Sequence, residues 1–259
     1  MSLKIRSFYA GREPHGRVIG GAAALCLVAV LALSGCRFDE RDADYFPLDA
    51  GWSWHYRVVT EIRKLSKERT AMLVANRGAI TVAGRQATPR IYQDGHRYYY
   101  AAEDDGIVLV AQQAPGDEAM LVPPDQYVIK FPIESGSSWP VASKTYLLRR
   151  QMFSPTAVIM IPITAPMKIT FTVESKDDVV KVPAGTFRNC VRVHGVAKAV
   201  RDLGERVGDK ELTIDVMEWF APGVGLVKMV RHEDSHPESL STGTMTVELE
   251  NLDNGPWFN

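Results

Sequence analysis

The chain has 259 residues, with 30 Lys and Arg against 31 Asp and Glu, and 46% of its residues are hydrophobic. This length and apolar content suffice for a sizeable folded core. The near-neutral charge excludes the basic excess typical of proteins that bind nucleic acids.

The first 35 residues predict a cleaved leader. An apolar, uncharged run extends from Val18 to Leu33 behind a basic N-terminal segment, and Ser34 and Gly35 come directly before Cys36. Secretory signals have this layout. The segment Leu33-Ser34-Gly35-Cys36 resembles a bacterial lipobox, where the chain is cut before a cysteine that receives lipid. A membrane-spanning helix and a soluble secretory signal are the alternatives, the first because the run is near the lower length limit for spanning.

Lipidation of Cys36 predicts a location in the bacterial cell envelope. Two or more acyl chains anchor a protein stably, since each buried methylene contributes about 0.8 kcal/mol. Arg37 follows the cysteine, where an aspartate would favour inner-membrane retention. We therefore expect the outer membrane, with the protein facing the periplasm, if the source is Gram-negative.

The leader defines three segments: a signal peptide over 1–35, a lipidated tether over 36–44 and a β domain over 45–259. After cleavage 26 basic and 30 acidic side chains remain, a net charge of −4. Cys190 is then the one cysteine besides the lipidated residue, so an internal disulfide is excluded. The fold must depend on its apolar core.

Strand patterns dominate the remaining chain. Met167, Ile169, Phe171 and Val173 alternate with polar residues, and the segment 244–250 does the same. No segment predicts a helix of three turns. The fold class is all-β, with a single antiparallel, strongly twisted sheet or a half-barrel or sandwich-like domain. The other predicted strands are 54–62, 71–74, 90–93, 97–101, 107–112, 127–131, 145–150, 179–182, 186–193, 211–220 and 225–231.

Turn residues separate these strands. Asp94-Gly95 predicts a hairpin, and the acidic segments 103–106 and 175–178 predict turns. Proline and glycine in 183–186 and 222–225 predict two more, because glycine accepts a positive φ.

Two segments of the chain echo each other. Phe46-Pro47-Leu48-Asp49-Ala50-Gly51-Trp52-Ser53-Trp54 is followed later by Phe131-Pro132-Ile133-Glu134-Ser135-Gly136-Ser137-Ser138-Trp139. Each predicts a turn that begins a strand, with the final tryptophan packed in the core. Two equivalent binding edges are the functional alternative.

Three ordered segments resemble a poorly characterised family of exported bacterial β-rich lipoproteins. They are Tyr45-Phe46-Pro47-Leu48-x-x-Gly51-x-x-Trp54, Val182-Pro183-Ala184-Gly185-Thr186-Phe187-x-Asn189-Cys190 and Phe220-Ala221-Pro222-Gly223-Val224-Gly225-Leu226-Val227-Lys228. The resemblance implies a single antiparallel β domain with a curved sheet. It implies no established catalytic residue, so none is assigned.

The segment from His232 to His236 matches the zinc-protease pattern H-E-x-x-H. That chemistry needs a helix, which places both imidazoles on one face with Glu233 as the general base. Here a strand-like run precedes the motif and Pro237 follows it, which predicts a hairpin loop. A metal site at His232 and His236 is therefore the least favoured functional hypothesis.

Two other groups of reactive or aromatic residues have structural explanations. Cys190 and His194 lie four positions apart, about 13 Å along a strand, which is too far for a nucleophile and its base. Tyr98, Tyr99 and Tyr100 could form a binding surface for a sugar or peptide, but a hairpin with one buried aromatic side is the favoured explanation.

The apolar stretch 158–163 has no charge and is bounded or interrupted by prolines. It predicts either an edge strand or loop that covers the core, or an exposed Met-containing surface for an apolar ligand or a partner. The residues that would form this surface are Val158, Ile159, Met160, Ile161 and Ile163.

The functional prediction is a membrane-anchored binding or interaction module, without a cofactor and without enzymatic activity. Its partners would be the membrane, through the lipid on Cys36, and an apolar ligand or an envelope protein, but no nucleic acid. A carrier of a lipid or other apolar ligand, with 152–167 at the mouth of a β cavity, is the alternative. A metal-dependent hydrolase is the third.

Overall fold

The structure, a computed structural model, describes residues 40–124, 126–237 and 240–254. The described part contains one short helix, α1, and strands β1 to β16. In chain order they are α1 (Glu40–Ala43), β1 (Ser53–Ile62), β2 (Ser66–Asn76), β3 (Ile80–Val82), β4 (Arg85–Tyr92), β5 (Arg97–Glu103), β6 (Gly106–Gln113), β7 (Met120–Leu121), β8 (Tyr127–Lys130), β9 (Ser138–Lys144), β10 (Arg149–Ser154), β11 (Ala157–Pro162), β12 (Pro166–Val182), β13 (Gly185–Asp202), β14 (Asp209–Ala221), β15 (Gly225–His236) and β16 (Gly243–Asp253).

Fourteen strands form one open antiparallel sheet, which confirms the predicted fold class. Its strands run in the order β7-β6-β5-β4-β2-β1-β16-β15-β14-β13-β12-β9, with β3 paired to β4 and β8 paired to β6. The remaining two strands, β10 and β11, form a separate two-stranded sheet. No helix within the described ranges is long and apolar enough to cross a membrane.

The sheet curves so that its distant strands share a core. One buried cluster joins Ile107 of β6 and Ile129 of β8 to Trp139 of β9 and Val193 of β13. These strands lie far apart in the strand order, so their side chains can meet only if the sheet bends around them. Three further clusters fill the rest of the interior.

The two echoed segments play the same role, as predicted for turns that begin strands. Each has a glycine with φ near 90° in its turn, Gly51 at 89° and Gly136 at 90°. Each then leads into a strand whose tryptophan, Trp54 or Trp139, is only 1% exposed. The repeated sequence therefore serves packing.

Three local predictions are wrong. Residues 145–148 connect β9 to β10 and are not part of a strand. The polar segment 175–178 lies inside β12 and is not a turn, because β12 is paired with β9 only as far as Thr172, and the strand beyond is an edge where bulges and solvated side chains are tolerated. The segment 232–236 is the end of β15 and is not a loop.

The long strands separate two ends of the domain. At one end the Gly223 amide donates to the carbonyl of Asp44, and Asp42 accepts from the Ile133 amide at 2.8 Å. Residues 40–44, predicted as tether, are therefore packed against the domain. Leu212 marks the opposite end of β14, about 30 Å away along the strand.

Candidate functional site

The β10–β11 hairpin carries several exposed apolar side chains, among them Phe153, the most exposed large hydrophobic residue of the described chain. It is joined to the main sheet through a bridge between Arg149 and Ser241. Phe153 is 77% exposed, and Val158 and Ile159 are 57% and 44% exposed. The part of the hairpin next to its loop is therefore exposed to solvent.

Both faces of the hairpin are apolar and open. Phe153 and Val158 pair on one face, whereas Met152 and Ile159 pair on the other. The predicted surface residues Met160 and Ile161 are half-buried, and Ile163 packs on the core cluster that contains Leu148. The exposed surface therefore extends onto β10, which the sequence-based prediction missed.

Charged residues in this region lie at the base of the hairpin. No charged residue occurs from Gln151 to Ile163, whereas Arg149 and Arg150 stand at the base. Arg149 turns back, and its Nη1 donates to the carbonyls of Tyr146 and Leu148 at 2.7 and 3.0 Å. The hairpin is an uncharged projection with a basic base.

A buried ion pair holds the chain that leads into the hairpin. Glu233 is 0% exposed and accepts hydrogen bonds from the amides of Tyr146 and Leu147 at 2.9 and 2.8 Å. The guanidinium of Arg231 donates to Glu233 at 2.8 Å and to the carbonyl of Lys144 at 2.7 Å. Because the carboxylate binds a cation and two amides, its burial is compensated.

The returning chain is fixed by Thr145. Its hydroxyl donates to the Ile163 carbonyl at 2.9 Å and accepts from the Ala165 amide at 2.9 Å. Its own amide donates to the Ala165 carbonyl at 2.9 Å. Both segments at the base of the hairpin are therefore held in place by hydrogen bonds, although the hairpin itself is exposed.

The placement of His232, His236 and Glu233 does not fit the predicted alternative of a zinc-protease site. His232 and His236 lie on the outward face of β15, about 13 Å apart along the strand, while Glu233 points inward. His232 Nδ1 lies 2.9 Å from the Thr244 hydroxyl. Nowhere in the described ranges do three His, Cys, Asp or Glu side chains gather to hold a metal. Glu233, the would-be general base, is instead the anchor of the hairpin.

Cys190 and His194 are engaged separately. Cys190 is buried, and burial raises the pKa of its thiol to about 11, which opposes formation of a thiolate nucleophile. Partial burial opposes protonation of His194, but hydrogen bonds with Asp215 at 3.1 Å and Glu174 at 2.9 Å raise its pKa overall. The histidine belongs to a polar network on the outer face.

The tyrosines differ from the prediction of a single buried side. Tyr99 is buried in one core cluster and Tyr100 in another, on opposite faces of β5. Tyr98 is half-buried and packs edge-on against Tyr92, with ring centroids 5.2 Å apart. The interior thus uses both sides of this strand, which leaves little of a sugar-binding surface.

Sequence reasoning also missed a buried arginine at the other end of the domain. Arg90 lies over the rings of Phe46 and Trp54, 3.9 and 4.4 Å from their centroids. It donates to the Asn76 side-chain oxygen and to the Pro47 carbonyl, both at 2.8 Å. Its burial, which lowers its pKa, could not be inferred from a short polar strand pattern.

Glu218 is a second carboxylate close to Arg231, which forms its ion pair with Glu233 instead. It lies on the inner face of β14, opposite Val193 and Met229 in the neighbouring strands. Burial raises the pKa of Glu218 to about 7, although the positive charge of Arg231 opposes the shift. Glu218 is half-buried and therefore keeps some contact with solvent.

The carrier alternative requires a continuous apolar cavity. Two of the pockets are half-open at the surface, one of about 350 Å³ beside Phe46 and Ile107 and one of about 290 Å³ between Gln126 and Ala142. Large side chains such as Trp139 fill the interior. This packing favours a surface interaction over an enclosed ligand.

The chain was compared with known proteins. No protein-family model matches it, and no curated protein matches it. A candidate lipoprotein from Parabacteroides distasonis ATCC 8503 superposes with a TM-score of 0.37 at 15% identity, over 81% of this chain and 98% of that one. A candidate exported protein with a YmcC-like fold from Bacteroides fragilis NCTC 9343 gives 0.34 at 13% identity, over 80% and 98%. Similarity at this level leaves function to be argued from the residues of the chain.

Proposed function

We propose that the protein is a lipid-anchored interaction module of the cell envelope and that the β10–β11 hairpin is its contact surface. The observation that carries the proposal is the hairpin with two exposed apolar faces. Phe153, Val158 and Ile159 lie in water in the isolated chain, and burying large apolar side chains contributes about 1.5–3 kcal/mol each. A binding partner would remove this surface from water.

The fixed base of the hairpin supports the same function. The segments that enter and leave the hairpin are held by Arg231, Glu233 and Thr145. The direction of the hairpin is therefore set before a partner binds. Preorganisation of this kind reduces the entropy lost on binding. An accidental apolar loop would need no buried ion pair beneath it.

The lipid anchor would determine which way this surface faces. Cys36 precedes Glu40, where the described domain begins, by four positions, a reach of at most about 14 Å. The hairpin lies at the opposite end of the long strands from residues 42–44. In an upright domain it would face away from the anchoring membrane, toward other envelope components.

The anchor has a direct test. Replacement of Cys36 by Ser in the full chain should release the protein from membranes after cell fractionation, while Cys190→Ser, the matched control, should stay membrane-bound. Retention of the Cys36→Ser chain on membranes would contradict the anchor.

The contact surface is tested by photo-crosslinking in intact cells. Val158 and Val179 are both 57% exposed, but only the first lies on the hairpin. A photoreactive amino acid at Val158 of the full chain should give a discrete crosslinked product, and the same group at Val179 should not. Equal crosslinking at both positions, or none at either, would refute the hairpin as the contact surface.

A further inference from the structure

Among the described strands, none pairs with the outer edge of β11. The hairpin loop consists of Pro155 and Thr156, so the flanking pair Ser154 and Ala157 is hydrogen-bonded, and bonded and non-bonded pairs alternate from there. By this alternation the backbone groups of Val158 and Met160 point away from β10. The bridge at Arg149 agrees, since its outward amide donates to the Ser241 carbonyl at 3.1 Å.

The terminal strand β9 of the main sheet is protected by comparison. Pro140 has no amide hydrogen to offer at that edge. The Ala142 amide is capped by the side-chain oxygen of Gln126 at 3.0 Å. Charged residues, prolines and capping groups commonly prevent strand addition at sheet edges. The edge of β11 has only Pro162, at its far end.

The free edge is complementary to itself. We propose that the partner of the hairpin is a second copy of this chain, with the two β11 strands paired antiparallel about a two-fold axis at Ile159. The inference rests on the proposed contact surface and names its occupant. Val158 of one copy would then pair with Met160 of the other, and the reverse, so that all four outward backbone positions are hydrogen-bonded. The product is a four-stranded sheet made of two hairpins.

Three observations favour a second copy over lipid. The paired segment has no charge, so two identical strands meet without repulsion. A two-fold axis makes one edge suffice for both partners. Insertion of the hairpin into hydrocarbon would instead leave the backbone groups of Val158 and Met160 without hydrogen bonds, which is strongly unfavourable.

The expected association is weak in solution and stronger on membranes. Two hairpins bury far less surface than the roughly 1,200–2,000 Å² of a stable protein interface. Lipid anchors on both copies would raise their effective concentration at a membrane. We therefore expect monomers in dilute detergent and dimers in vesicles.

Cysteine crosslinking of the full lipidated chain in vesicles tests the pairing. At the axis, Ile159 faces its own symmetry copy in a non-hydrogen-bonded pair with Cα atoms about 4.5 Å apart, within the range of a disulfide. Ile159→Cys should give a covalent dimer under mild oxidation. Phe153→Cys, which is more exposed but lies on β10, should give at least tenfold less; equal crosslinking would indicate random collision and overturn the pairing.

A second variant separates pairing from folding. Met160→Pro removes an outward amide without touching a β10–β11 hydrogen bond, so the hairpin should persist while the Ile159→Cys dimer is lost. Undiminished crosslinking in the double variant would overturn the proposal. If Ile159→Cys gives no dimer but a photoreactive group at Val158 captures another protein or lipid, the contact surface stands and the second copy is rejected. Failure of both crosslinks rejects both.

Discussion

Two buried arginines hold the two ends of the domain in different ways. Arg90 packs between aromatic rings and donates only to neutral oxygens, one of them the Pro47 carbonyl. Arg231 donates to the Lys144 carbonyl and pairs with the carboxylate of Glu233. Each binds a main-chain carbonyl where the chain enters or leaves a strand, Pro47 ahead of β1 or Lys144 at the end of β9.

The difference follows from what each segment needs. The segment at Pro47 is rich in carbonyls that need donors, and Arg90 with Asn76 supplies them. The connection into the hairpin also presents two unpaired amides, at Tyr146 and Leu147, which need an acceptor. A carboxylate satisfies both and compensates the charge of Arg231. The hairpin end is thus held by a complete ionic network, and the other end by an aromatic box.

The largest expected effect is loss of this network. Glu233→Gln should lower the free energy of unfolding by about 3–5 kcal/mol, since it leaves the Arg231 cation buried without its counterion. Chemical denaturation measures the change. Glu248→Gln is the matched control, because Glu248 bonds Arg57 and Lys228 at the surface and should cost less than about 1 kcal/mol. Equal losses would show that burial of the pair is unimportant.

A smaller loss is expected at the aromatic box. Arg90→Met keeps most of the packing and removes a buried charge, but leaves the Asn76 side-chain oxygen without its donor, so unfolding should become easier by about 2 kcal/mol. Thermal unfolding should show a lowered Tm. A loss as large as that of Glu233→Gln would mean that the two ends do not differ as described.

The raised pKa of Glu218, near Arg231, predicts that the stability of the protein depends on pH. The folded pKa of Glu218, about 7, lies above its ordinary value of 4.5, so the fold favours the protonated form. The resulting stability is complete below pH 4.5 and is lost as the pH rises through 7. Glu218→Gln should therefore stabilise the protein at pH 8 by about 1 kcal/mol, discounted for its solvent contact, and should have little effect at pH 4.5. Denaturation at both pH values measures this; an unchanged pH dependence would contradict the assignment.

The smallest effect on stability is expected at the exposed surface. Phe153→Ser should change the free energy of unfolding by less than about 0.5 kcal/mol, since the ring is largely in water already. The same variant should leave photo-crosslinking from Val158 largely unchanged, because Phe153 lies on β10, away from the edge of β11 that is proposed to pair. Loss of crosslinking in a normally folded Phe153→Ser protein would show that the β10 side of the hairpin belongs to the contact, which would contradict pairing through β11 alone.

Much of the fold could be predicted from the sequence, because alternation and turn chemistry are local signals. Gly51 and Gly136, both with positive φ, lie in the turns where the echoed segments predict them. The errors at 145–150, 175–178 and 232–236 concern strand partners, and pairing is a long-range property that residues 175–178 do not encode. The roles of Arg90 and Glu233 depend on contacts across 43 and 87 positions, beyond the reach of any motif.

Hydrogen exchange at the amides of Val158 and Met160 tests most directly whether the hairpin edge is a contact surface. The measurement compares the full lipidated chain in vesicles with dilute monomer in detergent, at single-residue resolution. We expect both amides to exchange rapidly in the monomer and to become protected in vesicles, while the amides of Ile159 and Ile161, bonded to β10, stay protected in both. Rapid exchange at Val158 and Met160 in vesicles would contradict the pairing.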